Sequence, residues 1–210
     1  MIVVKEKCYI CGNDSVFSIR DDAVLLREAT CQYCGASIRN SDTAKTIVSK
    51  LLNKKAALLE SIKALSKYKI LGTSSRGSIH SILRYSPNYI FGEYFDDVAS
   101  GQRKNGILCI DLKNIPFADD YFDLIISEDV LEHVQDVDKA FVEINRVLKT
   151  GGHHIFTVPV HEARKTLDRT DLPQKIFHGD PLRREGALVV TDFGDDLGQH
   201  LKKFGMKSTK

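Results

Sequence analysis

Residues 111–152 read DLKNIPFADDYFDLIISEDVLEHVQDVDKAFVEINRVLKTGG, and this stretch decides the fold of the chain. The apolar run Phe122–Ser127 leads into a segment that carries Glu128, Asp129, Glu132 and His133. A helical pattern and a Gly-Gly turn follow, and then a further apolar run, Ile155–Val158. Strand, polar tip, helix and strand in this order are typical of a parallel α/β sheet. Because such sheets bind ligands beyond the carboxyl ends of their strands, the acids lie where we expect a ligand.

The same alternation of strand and helix continues over residues 67–210. Apolar runs predict strands near 68–72, 88–93, 107–110, 122–127 and 153–158, and helical periodicity predicts helices near 76–84, 136–149 and 193–204. In the helix at 136–149, Asp136 is expected to cap the start and Gly151 to mark the end. The pattern predicts an α/β fold with a doubly wound, mostly parallel sheet and right-handed crossovers.

Composition and charge exclude several classes of protein. A chain of 210 residues can form one full domain with a small accessory module, and a net charge of +2 provides no global basic field for nucleic acid. No apolar run approaches the ~20 residues of a membrane helix. The N-terminus, MIVVKEKC, lacks the long apolar segment of a secretory signal. We therefore predict a cytoplasmic protein with no membrane partner.

Residues 1–40 contain two CxxCG motifs, Cys8-Tyr-Ile-Cys11-Gly12 and Cys31-Gln-Tyr-Cys34-Gly35. The two-residue gap lets both sulfurs of a pair reach one ion, and four thiolates in a tetrahedron suit Zn²⁺. Two pairs, each followed by glycine, argue against a redox pair or incidental cysteines. We predict a small module with a structural zinc, whose metal contributes directly to folding. The fifth cysteine, Cys109, lies in a strand-like run and is interpreted as a core residue.

Residues 41–66 are predicted to form one amphipathic helix that connects this module to the main domain. Ser41 or Asp42 is the expected N-cap. The polar face of this helix is rich in lysine, which favours a solvated face on a packing helix, with a phosphate-binding or partner-binding face as the alternative.

Several segments resemble the central block of class I S-adenosylmethionine-dependent methyltransferases: Asp111–Leu112, PFADDYFDLI, SEDVLEHV and AFVEINRVLKTGG. The later HGDP, GALVV and DFGDDL segments resemble a bacterial subgroup that carries an N-terminal cysteine-rich module and is often associated with glycan biosynthesis. The resemblance covers about residues 1–205. It implies a Rossmann-like methyltransferase domain over residues 67–210, S-adenosylmethionine as the cofactor, and a small-molecule or glycan-type acceptor.

The resemblance also implies cofactor-binding residues. In the loop GTSSRGS after the first strand they are Gly72, Ser74 and Gly77, although Gly72 stands where the family has an acid and Ser74 where it has a glycine. Glu93 matches the acid that bonds the ribose hydroxyls, and it follows Gly72 at the spacing expected for such sites. The remaining matches flank the adenine or lie near the methionine moiety: Asp111, Leu112, Ser127 and Glu128.

Catalytic candidates cluster after the fourth strand and in the later HGDP segment. His133 and His178 are candidate general bases, with Asp129 as a further candidate. Asp129, Glu132 and His133 would share one face of a helical turn, which predicts either a divalent-ion site, with His161 or His178 as an added ligand, or orienting groups at a helix start. Arg183 and Arg184 are candidates to contact an anionic substrate or are ordinary surface charges, and His153 and His154 are interpreted as structural.

Two other functions compete with a methyltransferase. The altered loop at Gly72–Ser78 favours a degenerate, non-catalytic binding or scaffold protein. The domain is also expected to lack its last strands, because the family continues beyond Met206 into a final strand pair, and the open sheet edge would favour a homodimer. A zinc-ribbon nucleic-acid-binding protein is the other alternative, but the near-zero net charge and sparse aromatic residues near the cysteines argue against it.

Overall fold

The computed structural model describes residues 2–19, 28–180 and 182–209. Its strands, numbered along the chain, are β1 (Ile2–Lys7), β2 (Asp14–Ile19), β3 (Thr30–Cys31), β4 (Ile70–Gly72), β5 (Tyr89–Glu93), β6 (Arg103–Lys104), β7 (Ile107–Cys109), β8 (Phe122–Glu128), β9 (Leu148–Thr157), β10 (Val160–His161), β11 (Leu167–Asp168), β12 (Phe177–His178), β13 (Ala187–Leu188) and β14 (Thr191–Gly194). Its helices are α1 (Ile38–Leu52), α2 (Leu58–Leu65), α3 (Gly77–Leu83), α4 (Val137–Val147) and α5 (Leu197–Lys202), with a 3-10 turn at Leu131–His133.

The central sheet has the strand order β6-β7-β5-β4-β8-β9. All its neighbouring strands pair in parallel except β6, which is antiparallel to β7. The order of the parallel strands reverses between β4 and β8, which makes the carboxyl ends of these two strands a topological switch point. The predicted mostly parallel, Rossmann-like sheet is confirmed, and its five parallel strands lie at the predicted places.

Both faces of this sheet are covered, so the sheet is doubly wound. From Leu124 onward, successive side chains of β8 alternate between the faces: Leu124 and Ile126 belong to a core with α1, α2, α3 and the cysteine-rich module, whereas Ile125 belongs to a second core with α4 and α5. Phe122, which precedes the register shift of β8, also belongs to the second core. Residues 2–19 and 28–37 contribute to the first core through Cys8, Phe17 and Cys31. The module is therefore packed directly against the main domain.

The single helix predicted over residues 41–66 is wrong, because the structure has α1 and α2 in its place. Asn53 ends α1 in the left-handed conformation (φ 51°) and donates its backbone N–H to Ser49 O at 2.9 Å. Asparagine tolerates this conformation better than most residues. The helix also begins earlier than predicted, since Ser37 rather than Ser41 or Asp42 caps it.

The predicted ends of two later helices also differ from the structure. Asp136 caps α4 as expected, but α4 ends at Val147 and the chain enters β9 at once, so that Gly151 (φ 80°) lies within the strand. The pairing of β8 with β9 shifts register between Phe122 and Leu124, which accommodates the extra residues. Of the helix predicted at 193–204, only α5 is helical, because the start of that range belongs to β14.

Among the described strands of the central sheet, β9 pairs only with β8 and therefore forms an edge. The homodimer predicted from such an edge stays a prediction. None of the helices over the described residues is both long and apolar enough to span a membrane.

Candidate functional site

A cavity of about 470 Å³ opens at the carboxyl edge of the central sheet, across the switch point. We call it the strand-end cavity. Each of four parallel strands contributes residues from its end or from the loop that follows it: Thr73 and Ser74 after β4, Glu93 and Tyr94 at β5, Asp111 and Leu112 after β7, and Glu128 and Asp129 at β8. Residues 177–180 and 182–190, which we call the cover segment, contribute a second group of lining residues, among them Phe177 and Arg183. The cavity falls within the size range of small-molecule and cofactor sites.

Glu93 organises the loop after β4. Its Oε1 atom accepts hydrogen bonds from the backbone N–H of Ser75 at 2.7 Å, the Ser75 hydroxyl at 2.8 Å and the Ser74 hydroxyl at 3.3 Å. These bonds hold Ser74 and Glu93 together at the cavity wall. Hydroxyl and carboxylate groups therefore take the place of a glycine-rich backbone at this point of the site.

Gly72 and Gly77, the two predicted cofactor-binding glycines, do not line the strand-end cavity. A side chain at Gly72 would collide with the Tyr89 hydroxyl, so glycine at this position leaves the space that the Tyr89 side chain occupies beside β4. Gly77 begins α3 with φ 84°, a conformation that favours glycine. Thr73, which the sequence did not single out, does line the cavity, and its Oγ1 atom is buried with no hydrogen-bond partner among the described residues.

Asp111 and Leu112 occupy the wall at the end of β7. The Asp111 carboxylate accepts the backbone N–H of Lys113 at 2.9 Å, and its own N–H donates to the Ser100 hydroxyl at 3.0 Å. Leu112 is 4% exposed and belongs to the second core, so its position is fixed by packing. The two residues thus present a carboxylate next to an apolar surface.

Glu128 and Asp129 form the wall at the end of β8, and two side chains from α1 contact them. Asn40 Nδ2 donates to Glu128 Oε1 at 2.8 Å, and Arg39 Nη1 lies 3.1 Å from Asp129 Oδ2. Burial raises the pKa of Glu128, although the Asn40 amide and the Arg39 guanidinium act in the opposite direction. Asp129 also accepts the Thr157 hydroxyl at 2.9 Å.

Ser127, a predicted cofactor-binding residue, points away from the strand-end cavity. The Ser127 hydroxyl and His154 Nε2 are 2.9 Å apart, and the other ring nitrogen, Nδ1, is buried with no hydrogen-bond partner among the described residues. Burial lowers the pKa of His154 to about 3, so this ring is neutral at pH 7. His154 thus sits in a structural position.

The structure gathers Glu132, His133 and His178 into one cluster beside the cavity, with ligand-type atoms all within 4.8 Å of one another. Glu132 is 1% exposed, and its Oε1 lies 3.8 Å from His133 Nε2 and 3.7 Å from His178 Nδ1. His133 Nδ1 faces the Leu188 carbonyl at 2.9 Å, and since a carbonyl only accepts, Nδ1 carries the proton. Burial lowers the pKa of His133, so its Nε2 is a proton acceptor.

Two other residues proposed for a metal site are not in this cluster. Asp129 does not belong to it: the Asp129 carboxylate contacts the Thr157 hydroxyl and Arg39, and Leu131–His133 forms a 3-10 turn rather than the predicted α-helical face. His161 pairs with Asp192 at 3.7 Å. The acid-x-x-Glu-His spacing therefore does not bring its three side chains together. The third member of the cluster is His178, which is 45 residues after His133 in the sequence.

The cover segment is held near its middle and at its C-terminal end. Arg183 lies 3.1 Å from Asp96, in the loop after β5, and 2.6 Å from Asp180 within the segment. At the other end, Val190 donates its N–H to the Glu132 carbonyl at 2.8 Å. Arg184 is exposed and does not line the cavity, so of the two arginines only Arg183 reaches it, already engaged by carboxylates.

Carboxylates outnumber basic groups around the cavity. The acidic residues in its lining are Glu93, Asp96, Asp111, Glu128, Asp129, Asp180 and Glu185, against Lys113 and Arg183. Lys113 lies 3.9 Å from Asp111, and Arg183 is paired as described. The field inside the cavity therefore favours a cationic group over an anionic one.

Away from the cavity, the four predicted cysteine ligands converge, and we call them the cysteine cluster (Cys8, Cys11, Cys31 and Cys34). The Sγ atoms of Cys8 and Cys34 are 3.6 Å apart, and those of Cys11 and Cys31 are 4.0 Å apart. A tetrahedron with Zn–S bonds of ~2.3 Å has sulfurs ~3.8 Å apart. The donor set therefore fits one tetrahedral ion.

Polar groups around the cluster stabilise thiolate sulfur. The Ser15 hydroxyl lies 3.1 Å from Cys31 Sγ, and Asn13 Nδ2 lies 3.4 Å from Cys11 Sγ. Burial raises the pKa of Cys31, but the Ser15 hydroxyl and backbone N–H groups outweigh it and bring this pKa to about 7. Such donors around the sulfurs are typical of metal-ligating cysteines.

Residues 90–156 match the family model described as a methyltransferase domain. The matched range is 67 of the 210 residues of the chain. The matched range contains every strand-end acid of the cavity from Glu93 to Asp129. S-adenosylmethionine is the cofactor of that family.

Curated relatives match short segments of the chain. The uncharacterized protein YafE of Escherichia coli is 46% identical over 43 residues, 20% of this chain and 21% of that protein. A demethylmenaquinone methyltransferase of Thermobifida fusca is 35% identical over 71 residues, 33% of this chain and 30% of that protein. The chain thus aligns with less than a third of either relative.

Similar solved structures include the cyclase SpnF, at 16% identity and a TM-score of 0.46 over 90% of this chain and 62% of that one. They also include the YcgJ protein of Bacillus subtilis, at 24% identity and a TM-score of 0.35 over 50% of this chain and 52% of that one.

The pKa of His154 predicts a pH dependence of stability. In the unfolded chain this histidine titrates near its ordinary pKa of ~6.5, so between that value and about 3 the unfolded state binds one more proton than the folded state. The contribution of His154 is thus complete above pH ~6.5 and is lost as the pH falls. We expect His154→Gln to flatten the fall in the free energy of unfolding below pH ~6.5, as measured by urea denaturation at a series of pH values.

His161→Gln is the control, because His161 is 44% exposed by its side chain. The fall in unfolding free energy below pH ~6.5 should persist in this variant. Identical slopes for wild type and His154→Gln would show that the pKa of His154 is the same in the folded and unfolded states.

Proposed function

We propose that the chain is an S-adenosylmethionine-dependent methyltransferase that acts on a small-molecule or glycan-type acceptor. The observation that carries this proposal is the convergence of strand-end acids on one cavity at the switch point of a parallel sheet. The family match over residues 90–156 supports it independently of the cavity.

The residues of the strand-end cavity fit this cofactor. The cofactor is a sulfonium cation with a ribose and an adenine, and the cavity offers an excess of carboxylates beside the apolar surface of Leu112. The buried Thr73 hydroxyl, which has no hydrogen-bond partner among the described residues, can bond a polar group of a ligand. In this proposal Glu93 binds the ribose hydroxyls, Asp111 and Leu112 flank the adenine, and Glu128 lies near the methionine moiety.

When bound, the cofactor supplies a methyl group that its sulfonium has already activated. The main task of the protein is then to hold an acceptor in line with that methyl group and to exclude water. The cover segment supplies much of the remaining cavity lining, which in this proposal contacts the acceptor. His133 lines the cavity with an unprotonated Nε2, which can accept the proton of an oxygen or nitrogen nucleophile. His178 and Asp129 remain further candidates for that role.

Substitution of the strand-end acids tests the cofactor site. We expect wild type to bind S-adenosylhomocysteine in calorimetry, and Glu93→Gln and Asp111→Asn each to weaken binding about ten- to hundredfold, since each removes a hydrogen bond to a charged group. Asp97→Asn is the matched control, because Asp97 is exposed, pairs with Lys104 and lies outside the cavity. Absence of binding by wild type at high micromolar ligand would refute the proposal.

A degenerate, non-catalytic protein is the alternative that the loop after β4 favours, because neither of its glycines lines the cavity. Binding of S-adenosylhomocysteine without methyl transfer from S-adenosylmethionine to amines, hydroxyl compounds or glycans would favour that alternative. A cytoplasmic location, a homodimer and the absence of a nucleic-acid partner stay predictions.

The cluster of Glu132, His133 and His178 favours a second role for the site, the binding of a divalent ion by one carboxylate and two imidazoles. We expect calorimetry with Mn²⁺ to show uptake that His133→Ala and His178→Ala abolish and that His161→Ala retains. Mn²⁺ prefers oxygen and nitrogen ligands, so the cysteine cluster should not compete. Lack of uptake at millimolar Mn²⁺ would leave the three residues as an acid-base cluster.

We also propose that the cysteine cluster holds a structural Zn²⁺. Its four thiolates leave no open coordination position, so the ion would stabilise the fold and take no part in catalysis. We expect elemental analysis to find one zinc per chain, and Cys34→Ser to lower both the zinc content and the midpoint of thermal unfolding. Cys109→Ser controls for the loss of a thiol, because Cys109 is buried in β7 and donates to the Val98 carbonyl. Purified protein that is metal-free and unaffected by added Zn²⁺ would contradict this assignment.

A further inference from the structure

The first turn of α1 joins the cysteine cluster to the strand-end cavity. Ser37, three residues after Cys34, caps the helix by accepting the Asn40 backbone N–H at 3.1 Å. The backbone on either side of Ser37 is bonded to β3 and to the residue before it: Cys31 N–H donates to Ala36 O at 2.8 Å, and Ile38 N–H donates to Ala29 O at 2.9 Å. The position at which α1 starts is therefore set by the fold of the cysteine-bearing segment.

Arg39 and Asn40, in this first turn, contact two acids of the cavity wall. Asn40 Nδ2 donates to Glu128 Oε1 at 2.8 Å, and Arg39 Nη1 lies 3.1 Å from Asp129 Oδ2 and 3.9 Å from Glu128 Oε1. Neither Arg39 nor Asn40 lines the cavity itself. They contact the wall residues Glu128 and Asp129 without belonging to the lining, and Asn40 is 88 residues from Glu128 in the sequence.

These contacts affect both the orientation and the ionisation of the two carboxylates. Glu128 and Asp129 are adjacent in the chain, and their side chains are only 19% and 25% exposed, so their mutual repulsion is weakly screened. The Arg39 guanidinium offsets this repulsion, and the Asn40 amide fixes the orientation of the Glu128 carboxylate. Burial raises the pKa of Glu128, and both side chains from α1 act to keep it ionised. Displacement of α1 by a small distance would remove both effects together.

We propose that Arg39 and Asn40 are positioning residues through which metal loading of the cysteine cluster sets the affinity of the strand-end cavity for its cofactor. This inference rests on the proposed function, since it concerns the same cavity. In the metal-free state the cysteine-bearing segment loses its crosslink, the start of α1 loses its anchor, and Glu128 and Asp129 lose their orientation. Metal and cofactor then bind cooperatively, although neither contacts the other.

The informative variant is Asn40→Asp. Aspartate at this position of the first turn is compatible with α1, because it can complete a capping interaction with Ser37 and it interacts favourably with the helix dipole. At the same time it replaces the amide donor to Glu128 by a like charge. We expect full zinc content and a single cooperative thermal unfolding transition, as in wild type. Binding of S-adenosylhomocysteine should nevertheless be about ten- to hundredfold weaker, because a charged hydrogen bond is lost.

Arg39 provides a second pair of variants. Arg39→Ala should weaken cofactor binding, and Arg39→Lys should restore part of the affinity, because lysine keeps the charge but not the planar fork. Lys50→Ala is the matched control for the loss of a basic residue from α1, since Lys50 is exposed and lies outside the cavity. It should change the affinity less than twofold. Equal losses for Arg39→Ala and Lys50→Ala would contradict a specific role.

The metal dependence is tested with the full chain by removing zinc with a chelator and adding it back. We expect S-adenosylhomocysteine to bind more weakly to metal-free than to zinc-loaded wild type. The ratio of the two dissociation constants should be much smaller in Asn40→Asp, where the coupling is already broken. Thermodynamic linkage requires the converse, so saturating S-adenosylhomocysteine should raise the zinc affinity by the same factor in wild type. Zinc release to a chromogenic chelator measures this without any turnover assay.

The outcomes separate this inference from the proposed function. If zinc-loaded wild type fails to bind S-adenosylhomocysteine, the proposed function falls. If wild type binds but Asn40→Asp binds equally well, or if folded metal-free protein binds as tightly as the loaded form, the coupling is refuted while the cofactor site stands.

Discussion

Parallel hydrogen bonding between β4 and β8 is the constraint on which the rest of this structure depends. The two strands pair in the register Ile70 to Leu124 and Gly72 to Ile126, and Thr73 continues the ladder by donating its N–H to the Ile126 carbonyl at 3.1 Å. Parallel pairing puts the carboxyl ends of both strands at one edge, and the reversal of strand order opens a crevice there. The loop after β4 and the acids after β8 thereby face one cavity.

An acidic cavity of this kind is stable because its carboxylates are offset by groups supplied from elsewhere in the fold. Arg39 reaches Asp129 from α1, Arg183 reaches Asp96 from the cover segment, and Lys113 lies near Asp111. Partly buried like charges repel one another strongly, and either a fixed cation or a bound cationic ligand relieves that repulsion. The same arrangement makes the cavity selective for positive charge and ties its geometry to the segments that supply the cations.

Much of the architecture was predictable because it rests on local patterns. The apolar runs located all five parallel strands, and Asp136 marked the start of α4. The predicted ends of helices were less accurate. Asn53 breaks a stripe of apolar residues that would otherwise continue. Lys149 to Gly152 lie between two pairings of β8 with β9, Phe122 with Leu148 and Leu124 with His153, so the strand on either side draws them into β9. Tertiary context overrides helical periodicity at such positions.

By itself, the sequence determined the features that short spacings encode. The CxxCG pairs place their sulfurs within reach of one ion, and acids that close apolar runs, such as Glu93 and Asp111, reach the cavity because strand ends share one edge. Only the tertiary structure decided which distant groups meet: His178 with Glu132, and Asn40 with Glu128. It also placed the Ser127 hydroxyl beside His154 and the Tyr89 hydroxyl beside Gly72. Such contacts depend on the register of strands and on helix packing, which no local spacing specifies.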